Sequence, residues 1–317
     1  MGTPLHRRTF LKLSAAGAAL GAAAYLKPLG GLAVASTLPL PFPHRHFPDA
    51  EALLTRRLDA FDLLLVPAYA AVELIRRNAL RLIPGPPGRA HDPDGAYTLP
   101  YRTAVSALLY RGQPPRSLDD LWRADALWPD SSRLVIGAAL LRRGYSPNDT
   151  HSGRLAQIEQ DLLDLRPRLA PDPAAWLRSS LGRFALAPVP AALKSVFKRS
   201  PAASPRRGTS AGTRTLSEFE DTFLDLLPVG AVSEGSGDWG VMVPPEGVIL
   251  IEYDWVIPLG ADNPEAALAF IAHQQSAMPG SQSAIRIPHS TIPFTPLPPA
   301  ALAQRAQIWA RLKRLAS

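Results

Sequence analysis

Residues 248–257 most constrain the fold, because they combine a strand pattern with two acids. The run VILIEYDWVI follows a turn, PPEG, and its β-branched and aromatic residues are typical of a buried strand. A break then leads to Pro264, which suits the first position of a helix with one broad apolar face. Glu252 and Asp254 lie two residues apart and therefore on one face of the strand. Because buried acids are costly without a partner, this pair indicates a ligand site or a hinge.

A second strand-like run, FDLLLV, lies at residues 61–66 and ends at Pro67. A continuous apolar run of this length is typical of a parallel strand that is covered on both faces. Apolar positions three and four residues apart then mark a helix over residues 72–79. The same alternation recurs along the chain and predicts an α/β fold with mostly parallel sheets. The 317 residues suffice for two lobes, each with its own core.

The first 35 residues have the layout of an export leader. Arg7 and Arg8 precede a Phe-Leu-Lys sequence, residues 13–26 are uncharged and mostly small, and residues 33–35 (AVA) match an A-x-A cleavage site. Paired arginines of this kind are typical of twin-arginine leaders. The alternative is an amphipathic or membrane helix, but a membrane span needs about 20 apolar residues. We therefore predict a signal peptide at residues 1–35 and export to the periplasm or beyond, with membrane tethering if the leader is not cleaved.

Charge and cysteine content exclude several functions. The whole chain has a formal net charge of +7, but residues 1–35 hold four of its 34 basic residues and none of its 27 acidic ones. The remainder is close to neutral, which does not favour nucleic-acid binding. The chain has no cysteine, which excludes disulfides and a lipid-modified cysteine. His44 and His46 form an H-x-H pair without a tight cluster of further ligands, so we expect neither a metal nor another cofactor.

Four segments resemble the bacterial solute-binding proteins of the spermidine/putrescine type. They are FDLLLVPAYAAVELIRRNAL (61–80), YTLPYRTAVSALLY (97–110), residues 117–167 and residues 243–275, which include IPLGADNPEAALAFI. The third is the most specific, because it begins SLDDLW and continues through GYSPNDT into an amphipathic helix. Together they cover about half of the chain after the leader, in the order of the family.

The resemblance implies a two-lobed periplasmic-binding-protein fold of the type II kind, whose lobes close on a ligand by a hinge motion. It implies a monomer that binds a small solute and delivers it to an ABC permease, not an enzyme. We assign residues 36–112 and 247–280 to the first lobe, and residues 113–246 and 281–317 to the second.

The resemblance also places the ligand pocket. Its positions fall on Thr103, Ser131, Ser233, Glu252 and Asp254, and Tyr69 lies between two more of them, Ala68 and Ala70, so we include it in the pocket. Most of the aromatic and acidic pocket residues of the family are replaced, whereas Asp254 keeps its acid. Two carboxylates on one strand face would hold a polyamine-like cation, while Arg102 offers the opposite, a guanidinium for an anion. No strand is recognisable in the Pro-rich residues 36–48, where the family has its first one.

Two other classes of function remain open. The first is a degenerate exported scaffold that binds partners instead of a solute. The second is a serine hydrolase, because residues 231–235 (AVSEG) approximate a G-x-S-x-G elbow around Ser233, and Asp254 and His273 or His289 follow in order. The elbow needs a helix after the serine, whereas the sequence continues as a Gly-rich loop, so we favour solute binding.

Overall fold

The computed structural model describes residues 31–38, 40, 42–83, 89–111, 113, 115–123, 126–170, 184–190, 239–277 and 291–316. Its strands are β1 (Val34–Ser36), β2 (Arg45–His46), β3 (Leu63–Pro67), β4 (Leu99–Arg111), β5 (Ala126–Pro129), β6 (Arg168–Ala170), β7 (Phe184–Pro190), β8 (Trp239–Met242), β9 (Val248–Val256) and β10 (Thr291–Pro293). Its α-helices are α1 (Ala50–Leu54), α2 (Ala68–Arg76), α3 (Asp119–Arg123), α4 (Ser132–Arg142), α5 (Ser152–Leu165), α6 (Pro264–Ala277) and α7 (Pro299–Ala316).

The first strand lies where the sequence showed none. β1 is buried and pairs in parallel with both β2 and β3. Just before it, the Ala33 amide donates to the Asp62 carboxylate at 2.8 Å. Our prediction of no strand in residues 36–48 was therefore wrong, since β1 ends at Ser36 and β2 lies at Arg45–His46. Both strands are only two or three residues long, and β1 overlaps the A-x-A site. Cleavage after Ala35 would remove two of its three residues.

The strands of the described residues form one curled, mixed sheet in the order β2-β1-β3-β9-β4-β7-β5-β6, with β10 beside β9 and β8 beside β4. The ladders β1–β2, β1–β3, β5–β6, β5–β7 and β9–β10 are parallel. The ladders between β3 and β9 and between β4 and its neighbours are antiparallel. The α/β class is thus confirmed, with parallel strands in the outer parts and antiparallel strands in the centre.

Two long strands, β9 and β4, link the half of the sheet that contains β1, β2 and β3 to the half that contains β5, β6 and β7. β4 pairs with β9 through residues 99–105 and with β7 through residues 104–110. β9 pairs with β3 near its carboxyl end and with β10 near its amino end. Strands that run through both halves are where a hinge between lobes would bend. The lobe boundaries that we placed after residues 112 and 246 stay a prediction.

The helix α4 is buried on all sides and carries part of the site. Its N-cap is Ser131, whose hydroxyl accepts from the Leu134 amide at 3.5 Å. The segment ends at Gly144, whose φ of +74° favours glycine. The predicted stripe of α5 is buried through Leu155, Ile158 and Leu162. None of the described helices combines the length and apolarity that a membrane crossing requires.

Candidate functional site

One cavity lies at the carboxyl ends of the parallel strands. Residues at or just after the ends of β1, β2, β3, β5 and β10 line it, together with the middle of β9. Ligands of open α/β sheets bind in this position. Its volume is about 70 Å³, and one water needs about 10–15 Å³, so the cavity has room for a small solute. Its lining includes Thr37, Asp49, Tyr69, Asp130, Ser131, Arg133, Tyr253 and Phe294.

Arg133 places a buried positive charge in the cavity wall. It is the second residue of α4, and only 2% of its surface is exposed. Its guanidinium lies 4.3 Å from the ring centroid of Tyr69 and 4.7 Å from that of Phe294. Nη2 donates to the carbonyl of Thr295 at 2.6 Å. Nε and Nη1 have no hydrogen-bond partner among the described residues. Contacts with two rings hold the guanidinium in place and leave part of its donor capacity unused.

Two acids flank Arg133 without satisfying it. Asp49 accepts from a backbone amide of α1 at 2.9 Å and from the Ser132 hydroxyl at 3.3 Å. Glu51 accepts from the Tyr69 hydroxyl at 3.4 Å, and its Oε1 lies 3.7 Å from Nε of Arg133. Burial, together with Asp49, raises the pKa of Glu51, while Arg133 opposes that rise. Burial and then the Glu51 charge hold the pKa of Tyr69 well above its usual value, so its hydroxyl stays protonated.

Two of the predicted pocket residues line this cavity. Tyr69 lies in the first turn of α2, and Ser131 precedes α4. Ser233 lies outside the described residues, and so does His289 of the hydrolase alternative. His273, the other histidine considered for that alternative, is exposed on α6.

The other described pocket predictions do not line the cavity. β4 places Thr103 directly opposite Glu252 of β9. From β9 itself the cavity takes Ile251 and Tyr253. Because side chains alternate between the faces of a strand, Glu252 and Asp254 point to the opposite face. The expected positions on β9 are one residue away from those that line the cavity. A shift of one residue along a strand moves a side chain to the other face of the sheet.

Arg89 and His91 contact the two carboxylates on that opposite face. Nη1 of Arg89 pairs with Asp254, and its Nη2 lies 3.8 Å from Glu252. Nε2 of His91 lies 2.7 Å from Asp254, and its Nδ1 lies 3.7 Å from Glu252. Asp254 is completely buried and needs such partners. The positive charge that we expected from a solute is thus supplied here by the chain itself.

Asp92 fixes the loop that carries Arg89 and His91. Its carboxylate accepts from the backbone amides of residues 96–98 and from the hydroxyl of Thr98. Burial acts to raise the pKa of Asp92, but these hydrogen bonds outweigh it and leave the pKa below its usual value. The loop is therefore anchored to the start of β4, where it reaches the two acids.

Three important wall residues escaped the sequence analysis. Arg133 had a usable signal, because it is the only charged residue in the otherwise apolar run SSRLVIGAALL. Such a residue is expected to be paired or functional when its helix is buried. Tyr253 lies between the two acids and was passed over for them. Phe294 stands alone in a Pro-rich segment, and nothing in its sequence neighbourhood marks it.

Further candidates from the sequence have other surroundings. His46 lines the cavity, and its ring centroid lies 6.1 Å from that of His44. Across the described part of the chain, no three His, Cys, Asp or Glu side chains are grouped as a metal site. The guanidinium of Arg102 lies 5.3 Å from the ring centroid of Tyr101, and Arg102 is not part of the cavity lining.

Sequence comparisons identify no relative of this chain. No protein-family profile matches it, and no curated protein matches it significantly.

Solved structures, in contrast, share the fold. A putative spermidine/putrescine ABC transporter protein from Listeria monocytogenes superposes with a TM-score of 0.64 at 15% identity, over 89% of this chain and 98% of the other. A spermidine/putrescine ABC transporter substrate-binding protein from Streptococcus pneumoniae gives 0.54 at 14% identity, over 90% and 99%. An Agrobacterium tumefaciens binding protein in complex with glucopine gives 0.57 at 9% identity, over 90% and 99%. The chain has the two-lobed α/β fold of bacterial periplasmic solute-binding proteins, as the sequence predicted.

Proposed function

We propose that the chain is the solute-binding component of an ABC-type importer and binds a small solute in the cavity between its lobes. One observation carries the proposal: the cavity is lined from both halves of the sheet. Thr37 and Tyr69 follow strands of one half, whereas Ser131 follows β5 in the other. A solute that contacts both halves favours the closed arrangement, and such closure requires a hinge like the one that β4 and β9 offer.

The proposal includes export, a permease and a monomeric state. The twin-arginine pattern suggests export in the folded state. Because Ala33 and β1 are held by hydrogen bonds to Asp62 and β3, we place the end of the leader before Ala33 and not after Ala35. The partner would be an ABC permease in the inner membrane, to which the protein delivers its solute without catalysis. Mass spectrometry of the exported protein tests the leader, and a mature chain that begins at Ser36 would contradict this placement.

Thermal-shift screening of the full-length chain tests the proposal. The panel contains polyamines, amino acids, organic acids and sugars. A ligand that binds only the folded state raises stability as its concentration exceeds its Kd, by about 2.7 kcal/mol at 100-fold excess. We expect a saturable rise in Tm with one of these classes.

Two matched tyrosine variants connect that shift to the cavity. Tyr69 and Tyr145 each lie under an arginine, at 4.3 Å and 4.6 Å from ring centroid to guanidinium, but only Tyr69 lines the cavity. Tyr69→Ala should abolish the shift and Tyr145→Ala should keep it. No shift in the wild-type chain, or one that persists in Tyr69→Ala, would refute the proposal. Ester turnover that is lost in Ser233→Ala would favour the hydrolase instead.

A further inference from the structure

The cavity wall has an excess of unused hydrogen-bond donors, and they belong to Arg133. Nε and Nη1 of this buried guanidinium have no hydrogen-bond partner among the described residues. A buried donor without an acceptor is costly, and more so when it carries charge. An unsatisfied buried group in a folded protein calls for an explanation, and one explanation is an ion or ligand that completes it. The missing partner is therefore an acceptor, preferably an anionic one.

The acids of the wall are, in contrast, already occupied. Asp49 caps α1 and accepts from the Ser132 hydroxyl. Asp130 pairs with Lys313, whose Nζ lies 2.8 Å from its carboxylate. Glu51, behind the lining, accepts from the Tyr69 hydroxyl. An ammonium group of a solute would compete with these partners. A carboxylate would meet the Nε and Nη1 donors of Arg133, which make no hydrogen bond among the described residues, although Glu51 lies 3.7 Å from Nε.

Two further features add positive charge to this region. The amino ends of α2 and α4 lie at the cavity, and the Pro67 N-cap of α2 contributes no side-chain hydrogen bond. Helix amino ends carry partial positive charge. A second buried guanidinium, Arg305, donates to the carbonyls of Pro147 and Asp149. Burial, and then the charge of Arg133, lowers the pKa of Arg305 to about 10, as expected for two cations near each other.

We infer that the solute is a small organic carboxylate whose carboxylate group accepts hydrogen bonds from Arg133, with its apolar part against Tyr69, Tyr253 and Phe294. This inference rests on the proposed function and gives it a chemical class. It departs from the polyamine that the sequence suggested, because the carboxylates expected to bind a diamine face away from the cavity and are paired with Arg89 and His91.

Three compounds of equal carbon length separate the charge classes. Butyrate carries only a carboxylate, 4-aminobutyrate carries a carboxylate and an ammonium, and 1,4-diaminobutane carries two ammoniums. Thermal shift and calorimetry on the full-length chain would be run with this series and with two- to six-carbon mono- and dicarboxylates beside the matching amines. We expect stabilisation by carboxylates and none by the amines.

Substitution of Arg133 localises the effect. Arg133→Met keeps an unbranched apolar stem and removes the guanidinium, and should weaken carboxylate binding about 10- to 100-fold, as for a lost charge-assisted hydrogen bond. Arg133→Lys should weaken it about 10-fold, because it keeps the charge and loses the planar, ring-stacked donors. Arg142→Met is the matched control, since Arg142 lies on the same helix over the ring of Trp122 at 4.6 Å and is not part of the cavity lining. The Arg142→Met variant should bind the carboxylate with the affinity of the wild type. Circular dichroism verifies folding, and Arg133→Lys decides the case if Arg133→Met does not fold.

The outcomes separate this inference from the proposed function. Stabilisation by amines with inert carboxylates would overturn the carboxylate and leave the solute-binding function standing. Carboxylate binding of unchanged affinity in the folded Arg133 variants would overturn the role of Arg133. If no compound of the broad panel is bound, both the function and its chemical class fail.

Discussion

Asp254→Ala should destabilise the protein without affecting solute affinity. The carboxylate is completely buried and contacts both Arg89 and His91, whose side chains are 22% and 8% exposed. Removing one partner of a buried ion pair costs about 3–5 kcal/mol, because the other charge is left without compensation. Arg89 keeps a second acid, Glu252, at 3.8 Å and is partly hydrated. We therefore expect a loss at or just below the lower end of that range, about 2–3 kcal/mol.

Urea denaturation at neutral pH measures this loss. Asp262→Ala, at an exposed position before α6, is the matched control and should change the free energy of unfolding by less than about 0.5 kcal/mol. Calorimetry with the solute that stabilises the wild type should give the same Kd for both variants. The pocket position that the sequence suggested for Asp254 implies the reverse, a weaker affinity with little loss of stability. That reverse result would refute the placement of Asp254 opposite the cavity.

Other perturbations test the surroundings of the site. Asp92→Asn should lower the free energy of unfolding by about 1–3 kcal/mol at pH 7. The amide NH2 group replaces one carboxylate oxygen and faces the N–H and O–H groups that donate to that oxygen. The pKa of Asp92 is lowered in the fold. The stability that its carboxylate contributes is therefore complete above the unfolded pKa of about 3.9 and is lost as pH falls through the folded pKa. Urea midpoints measured from pH 7 to pH 2 should show the difference between wild type and variant closing only below pH 4. Gly137→Ala would place a Cβ 2.9 Å from Cδ1 of Ile249. The cost of overpacking, about 1–3 kcal/mol, should exceed the gain in helix propensity of about 1 kcal/mol. The variant should therefore have a lower Tm, and a higher Tm would contradict this. Asp62→Ala removes acceptors for Ala33 and Asn263 and should cost about 1–3 kcal/mol in the same urea assay, whereas an unchanged midpoint would show that β1 is held by its other contacts alone.

Elements with a strong periodic pattern could be predicted from the sequence. The continuous apolar run of β3 indicated a strand that is covered on both faces, and all five of its residues are buried. The stripe of α5 and the Gly144 stop of the α4 segment follow from helix periodicity and from the φ preference of glycine. β1 could not be recognised, because three small residues in an Ala-rich segment carry no period-two signal.

The site could be predicted only in part, because a strand buried on both faces does not reveal which face meets a cavity. β9 is such a strand, and its acids attracted the prediction although Ile251 and Tyr253 line the cavity. The partners of Asp254 lie more than 160 residues earlier in the chain, and the spacing of residues gives no access to that contact. Tyr69 and Ser131 were predicted from the family resemblance; both line the cavity and follow strands, where α/β folds place their ligands.

A crystal structure of the full-length chain with the best-binding solute from the thermal-shift panel tests the central claim most directly. We predict electron density for the solute between Tyr69 and Phe294, with its charged group at Arg133 and contacts to residues that follow both β3 and β5. Density at any other surface, or a solute that contacts one half of the sheet alone, would contradict the account.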